Sequence, residues 1–492
     1  MSNPFLKYIA ENTEQKMNRP RNLICLLLLL SMGCSTPKEP NVVFILVDDL
    51  GYMDIGANNP STFYETPSID RLATEGMRLT QAYAAAPVCS PTRASIMTGN
   101  YPARIKTTDY FGAPQPDTVG PNYADNRAMY PAAYVDQLPA SEDTIAEILQ
   151  NAGYATFFAG KWHLGNEGSF PEDHGFMVNK GGHERGGPYG GNKYFSPYGN
   201  PRLEDGPDGE HLPERLGRET AEFIKQNKKK PFFAFLSFYS VHTPLMTTPE
   251  LEAKYESKKA ELGLETQWGE EGLRKVRLTQ DHAVYAGMVE AMDAAVGHVL
   301  DALQEAGVSD RTIVVFTSDN GGLSTSEGHP TSNIPLRGGK GWLYEGGILE
   351  PTIVKWPGHT QPNSISNEVV SSVDYLPTIL DMLGIAPTTT DGQSVTSVLK
   401  GEPAGERSIF WHYPHYGNQG GSPGGAIRKG DWKLIQFFET GKLELYNLAE
   451  DPSETMDLAS IHPDKTAELY TELKAWQVDT GAVFPTPTSS SN

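Results

Sequence analysis

Cysteine is nearly absent. The 492-residue chain has 3, at Cys25, Cys34 and Cys89. The first two fall in or at the end of a leader-like N-terminus, so an exported mature chain keeps one internal thiol and can form no internal disulfide. A lone thiol in an oxidising compartment is buried and inert, chemically modified, or catalytic. Basic charge is also scarce: 40 Lys and Arg against 61 Asp and Glu leave a net charge of −21, which argues against nucleic acid as a partner. An anionic substrate must therefore be drawn by a local basic pocket. Internal repeats are missing too. The apolar run Leu23–Leu30 is too short to span a bilayer.

What is present is the profile of a loop-rich globular enzyme: 38% hydrophobic and 21% charged residues, with 49 Gly and 37 Pro scattered through a chain long enough for a large domain and a smaller one. The run Leu23–Leu30, followed by Ser31, Met32, Gly33 and Cys34, reads as a lipoprotein signal peptide over residues 1–33, with Met17 as the true start because Arg19 and Arg21 follow it. Lipidation of Cys34 would then anchor the enzyme through the tether 34–40 to a membrane, at the periplasm or cell surface. Plain secretion is the alternative, since Ser31 replaces the Leu usual three residues before a lipidated Cys.

Asn41–Val47 is a continuous apolar run rich in β-branched residues, as expected of a strand buried on both faces. Similar runs occupy 155–158, 232–238, 312–316 and 351–354. Helical patterns alternate with them at 68–77, at 143–151 entered through Ser141, and at 279–306. This order predicts an α/β fold with a large, mostly parallel sheet sandwiched by helices over residues 41–405. From about Arg407 the pattern changes to antiparallel material at 426–438 and 443–446, then a helix near 465–477. That predicts a small C-terminal α+β subdomain over 406–492.

Ligands of open parallel sheets bind beyond the carboxyl ends of the strands. There the chain places Asp48 and Asp49, Lys161 and His163, His242, and Asp319 and Asn320. Any one pair has an ordinary reading as a cap or turn. Four clusters on one sheet edge suggest a site. Three carboxylates and an amide oxygen suit a hard cation, Ca2+ before Mg2+, and neighbouring carboxylates need such a neutralising charge.

The segment CSPTRASIMTG, Cys89 to Gly99, resembles the signature of the type I sulfatases, of the alkaline-phosphatase-like superfamily. Further matches follow in order: NVVFILVDDLGY from Asn41, TPSIDRLATEG from Thr66, GYATFFAGKWHLG from Gly153, HTP from His242, TSDNGG from Thr317, LRGGKGWLYEGGI from Leu336, WPG from Trp356 and VDYLPTILDMLG from Val373. The resemblance implies that a maturation enzyme oxidises Cys89 to formylglycine. It implies that Asp48, Asp49, Asp319 and Asn320 hold one Ca2+ together with residue 89. Arg93 and Lys161 would stabilise the hydrated aldehyde, His163 act as base for sulfate release, His242 protonate the leaving alcohol, and Lys340 bind sulfate. One departure follows GGI, where Leu349, Glu350 and Pro351 replace the usual Arg-Val-Pro.

A lipid anchor combined with this signature resembles bacterial enzymes that dismantle sulfated polysaccharides, so the expected substrate is a sulfated carbohydrate, from algal polysaccharides such as ulvan or carrageenan to glycosaminoglycans. His174, His183 and Arg185, with His412 and His415, are candidate sugar contacts. Two rivals stand beside this reading: a phosphoester or phosphonate hydrolase of the same superfamily, and an inactive surface glycan-binding lipoprotein.

Overall fold

The computed structural model describes residues 39–120, 122–190 and 193–488. The expected signal peptide 1–33, and Cys34 with most of its tether, lie outside the described residues. Asn41–Val47 forms strand β1, and its side chains divide by the two-residue period of a strand: Val43, Ile45 and Val47 enter one core, Val42, Phe44 and Leu46 the other. Both faces being covered is why the run contains no polar residue between them.

Seven further strands complete this sheet: β2 (Met77–Leu79), β3 (Ala155–Gly160), β4 (Val178–Lys180), β5 (Phe232–Ser237), β6 (Thr312–Ser318), β7 (Thr352–Lys355) and β8 (Ser364–Ser366), in the order β8-β2-β7-β6-β1-β5-β3-β4. β6, β1, β5, β3 and β4 are mutually parallel. β7 runs antiparallel to both of its neighbours, so the apolar run near 351–354 is the strand that makes the sheet mixed.

Helices α1 (Pro67–Glu75), α4 (Leu212–Asn227), α5 (Pro249–Glu261) and α6 (Ala283–Glu305) cover one face. Helices α2 (Cys89–Thr98), α3 (Ile145–Asn151) and α7 (Tyr375–Met382) cover the other. Three boundaries differ from the sequence expectation: α1 ends at Glu75, and Met77, expected in it, opens β2. α3 is capped by Thr144 rather than entered through Ser141: Thr144 Oγ1 accepts from Glu147 N at 3.2 Å while Glu147 Oε2 accepts from Thr144 N at 2.8 Å, a reciprocal capping box. α6 begins at Ala283 because the His282 side chain accepts the Tyr285 amide.

A second, antiparallel sheet follows, made of β9 (Ser408–Tyr413), β10 (Gly424–Lys429), β11 (Trp432–Phe437) and β12 (Leu443–Asn447) in sequential order. The expected strand 426–438 is two strands, turned at Gly430. One face packs Ile427, Leu434 and Leu445 against Leu469 and Leu473 of α8 (Pro463–Asp479). The other packs Trp411, Ala426 and Ile435 against Tyr83, Val88 and Trp342. Among the described residues no helix is long and apolar enough to cross a membrane.

Candidate active site

Because β6, β1, β5 and β3 are adjacent and parallel, the residues after them emerge on one edge. Asp49 and His163 turn the chain there in the left-handed region, with φ of 63° and 55°, conformations uncommon for residues with a Cβ and characteristic of functional turns. α2 approaches the same edge with Cys89 in its first turn, buried, behind an extended Val88.

Arg93 lies one turn further along α2 and faces the same way. Its Nε and Nη2 both stand 2.7 Å from Asp319 Oδ2, and its Nη1 donates to Lys161 O at 2.8 Å and Ser237 Oγ at 2.7 Å. Lys161 Nζ donates to Asp48 Oδ2 at 2.6 Å, and Lys340 Nζ to Asp49 Oδ2 at 2.8 Å. Asn320 Nδ2 donates to Asp49 Oδ1 at 2.8 Å. One ligating atom each from Asp48, Asp49, Cys89 and His242 lies within 4.8 Å of the others.

The residues fit a hard cation. Asp48 Oδ1 and Asn320 Oδ1 are buried without a hydrogen-bond partner, which an oxygen tolerates poorly unless an ion or water takes its lone pairs. Burial, reinforced by Asp319 and Asp49, pushes the Asp48 carboxyl well up despite Lys161 and Arg93. Burial opposes the charge of Asp49 as well, but Lys340, His242 and Lys161 override it and hold that carboxyl well below the usual range. Oxygen donors around uncompensated charge are the chemistry of Ca2+ and Mg2+. The thiol is in the opposite condition: burial raises Cys89 to about 11, so an unmodified Cys89 is a poor nucleophile. Burial and Lys340 bring His242 to about 3, and burial with Lys161 lowers His163.

All ten residues read from the sequence as catalytic or metal-binding therefore meet at one edge. A cleft of about 400 Å³ opens over them, floored by Cys89, His163, His242 and Lys340. Its walls are Gly186 and Gly187, next to the expected contact Arg185, and five residues the sequence did not single out: Tyr110, Phe111, Glu327, Asn418 and Gln419. Gly186 lies so close to the His163 ring that a Cβ there would stand 2.7 Å from its Cε1.

None of the five expected sugar contacts lines this cleft, although Arg185 is exposed next to the wall residue Gly186. His174 is buried with Nε2 2.9 Å from Ser169 Oγ, and His183 is buried with Nε2 3.1 Å from the Tyr239 hydroxyl. Arg185 stacks on Tyr189, 4.0 Å from the ring centroid. His412 is buried against the Val483 carbonyl, and His415 pairs with Thr108 Oγ1 at 2.9 Å. Each supports a loop, and sequence patterning carries no signal that separates a supporting histidine from a binding one.

The fold and site define a hydrolase acting on an anionic ester. The family model described as Sulfatase matches residues 40–385, and one described as N-sulphoglucosamine sulphohydrolase, C-terminal, matches 339–479. A sulfatase of Formosa agariphila is 31% identical, covering 90% of both chains. The N-acetylgalactosamine-6-sulfatase of Mus musculus is 31% identical over 91% of this chain and 82% of its own. Among solved structures, the crystal structure of Ps i-CgsB in complex with k-i-k-neocarrahexaose superposes with a TM-score of 0.73 at 27% identity, covering 90% of this chain and 94% of that one. The chain belongs to the sulfatase family and is a sulfuric ester hydrolase.

Proposed function

We propose that this sulfatase removes sulfate from a sulfated carbohydrate, using a formylglycine made from Cys89 and one Ca2+. The observation that supports this most is the seat of Cys89, in the first turn of a buried helix, with its sulfur within 4.8 Å of ligating atoms of Asp48, Asp49 and His242. Hydrated formylglycine supplies one hydroxyl to attack sulfur and a second whose deprotonation releases sulfate, which a thiol cannot do. Ca2+ held by Asp48, Asp49, Asp319 and Asn320 would supply Lewis-acid stabilisation of the oxygen charge.

The chain's own groups do the rest. Arg93 and Lys161 are buried cations tied to Asp319 and Asp48, so they present fixed positive charge beside position 89 with no reorganisation during reaction. Lys340 projects into the cleft and binds the sulfate. His163 has a buried, unpartnered Nδ1 and serves as base for sulfate release. His242 Nδ1 lies 2.8 Å from the Thr243 carbonyl, which orients the ring so that Nε2 can serve the leaving alcohol. A carbohydrate substrate is supported by the name of the mouse relative and by the neocarrahexaose bound to the solved neighbour. Export and lipidation at Cys34 complete the proposal, supported by the run Leu23–Leu30 before Cys34.

The test is release of inorganic sulfate by wild-type and Cys89→Ala proteins made with a maturation enzyme, on oligosaccharides sulfated at defined positions and on an aryl sulfate. Release that vanishes in the variant supports the reading. No release from any substrate, with formylglycine demonstrated at position 89 by mass spectrometry, refutes it.

A further inference from the structure

The roles above leave the lip of the cleft unused. Glu327 lines it beside Lys340 and His242, exposed and with φ 52°. Its carboxylate is held from two sides: Gln419 Nε2 donates to Oε1 at 2.8 Å, and Thr243 Oγ1, on the residue after His242, donates to Oε2 at 3.3 Å. Asn418, beside Gln419, reaches the Tyr110 hydroxyl across the cleft at 3.5 Å. The lip thus carries one fixed negative charge, two amides and a phenol. Among the described residues lining the cleft, Lys340 is the only Lys or Arg, and it is already paired with Asp49. Arg185, next to the wall residue Gly186, is stacked on Tyr189.

We propose that Glu327 is a specificity-determining residue that selects sulfate esters of neutral sugars, in which the ring bearing the scissile sulfate carries hydroxyls but no second sulfate or carboxylate. This rests on the sulfatase reading. Each Glu327 oxygen accepts one donor and retains a lone pair for a substrate hydroxyl, and such a bond to an ionised acceptor is stronger than one between neutral groups. A second anionic group on the same ring would share the cleft with that carboxylate, with no free lining cation to offset it. Like charges about 5 Å apart in a partly solvated cleft disfavour binding by roughly tenfold. The net charge of −21 acts in the same direction at longer range.

The test compares kcat/KM for a galactose monosulfate with that for the same sugar carrying a second sulfate, in wild type and Glu327→Gln, at low and high salt, with an aryl sulfate assayed alongside. Thermal unfolding of the variant checks its fold. Wild type should favour the monosulfate by about tenfold, chiefly through KM, and high salt should narrow that ratio. Glu327→Gln should narrow it at low salt and remove most of its salt dependence. Equal use of both sugars by wild type, preference for the disulfate, or a ratio that neither salt nor Glu327→Gln changes overturns the inference alone. Absence of sulfate from the aryl ester and both sugars, with formylglycine present, overturns the sulfatase reading and this inference with it.

Discussion

Lys340 Nζ lies 2.8 Å from Asp49 Oδ2, joining residues 291 positions apart in a site where both are buried. The pair serves two ends, since the lysine balances the Asp49 carboxylate and also lines the cleft. Lys340→Ala should lower sulfate release by at least about 100-fold, the scale of removing one preorganised charge-stabilising donor. It should also cost about 3–5 kcal/mol of stability, because Asp49 is left buried without its partner. Steady-state kinetics and denaturant unfolding separate the two losses.

If Asp48, Asp49 and Asp319 hold the proposed cation, stability depends on it. Adding Ca2+ to chelator-stripped protein should raise the unfolding midpoint, by an amount equivalent to about 2.7 kcal/mol at a hundred times the dissociation constant. Asp319→Asn should abolish most of that rise. Elemental analysis of the purified protein checks which ion it carries.

Away from the cleft, Lys433 Nζ on β11 stands 2.9 Å from Glu345 Oε1 and 2.8 Å from Glu454 Oε1, all three buried. Burial lifts Glu454 to about 7 even with Lys433 beside it, a measure of how costly charge is there. Lys433→Met should destabilise by about 3–5 kcal/mol. The same change combined with Glu345→Gln and Glu454→Gln should recover part of the loss. Thermal unfolding of the two variants decides this.

Asp109 carries a pH signature. Burial pushes its carboxyl up to about 8, against hydrogen bonds from the Tyr110 amide and the Tyr413 hydroxyl, while burial lowers the neighbouring His415 to about 3. The unfolded carboxyl ionises near its ordinary value, whereas the folded one keeps its proton, so the native state binds the extra proton between about pH 4 and 8. Stability from this group is therefore lost as pH rises through that window, by at most about 1.4 kcal/mol per pH unit. Asp109→Asn keeps the shape without the titration. The stability of the variant minus that of wild type should grow from pH 5 to pH 8, and a difference flat in pH would remove the assignment.

The sequence by itself determined the parts of this protein that are encoded in short spans. A strand buried on both faces needs a continuous apolar run, so β1 was readable from Val42 to Val47, with Asn41 at its start bonded to Thr312. A residue after a parallel strand can only emerge on the carboxyl edge, so Asp48, His163 and Asp319 were readable as neighbours once the sheet was inferred. Cys89 and Arg93 sit four residues apart, one helical turn, within a single motif. The turn boundaries at Thr144 and Gly430 were missed because several nearby residues can cap or turn with equal ease. The cleft walls were decided only by tertiary structure. Asn418 meets Tyr110 across 308 positions, and Glu327 is held by Gln419 across 92, pairings that no periodicity announces. The histidines show the same limit from the other side: an imidazole that ties a loop to Ser169 or Thr108 has the same chemistry as one that meets a sugar, and which of them it does depends on what the rest of the chain packs around it.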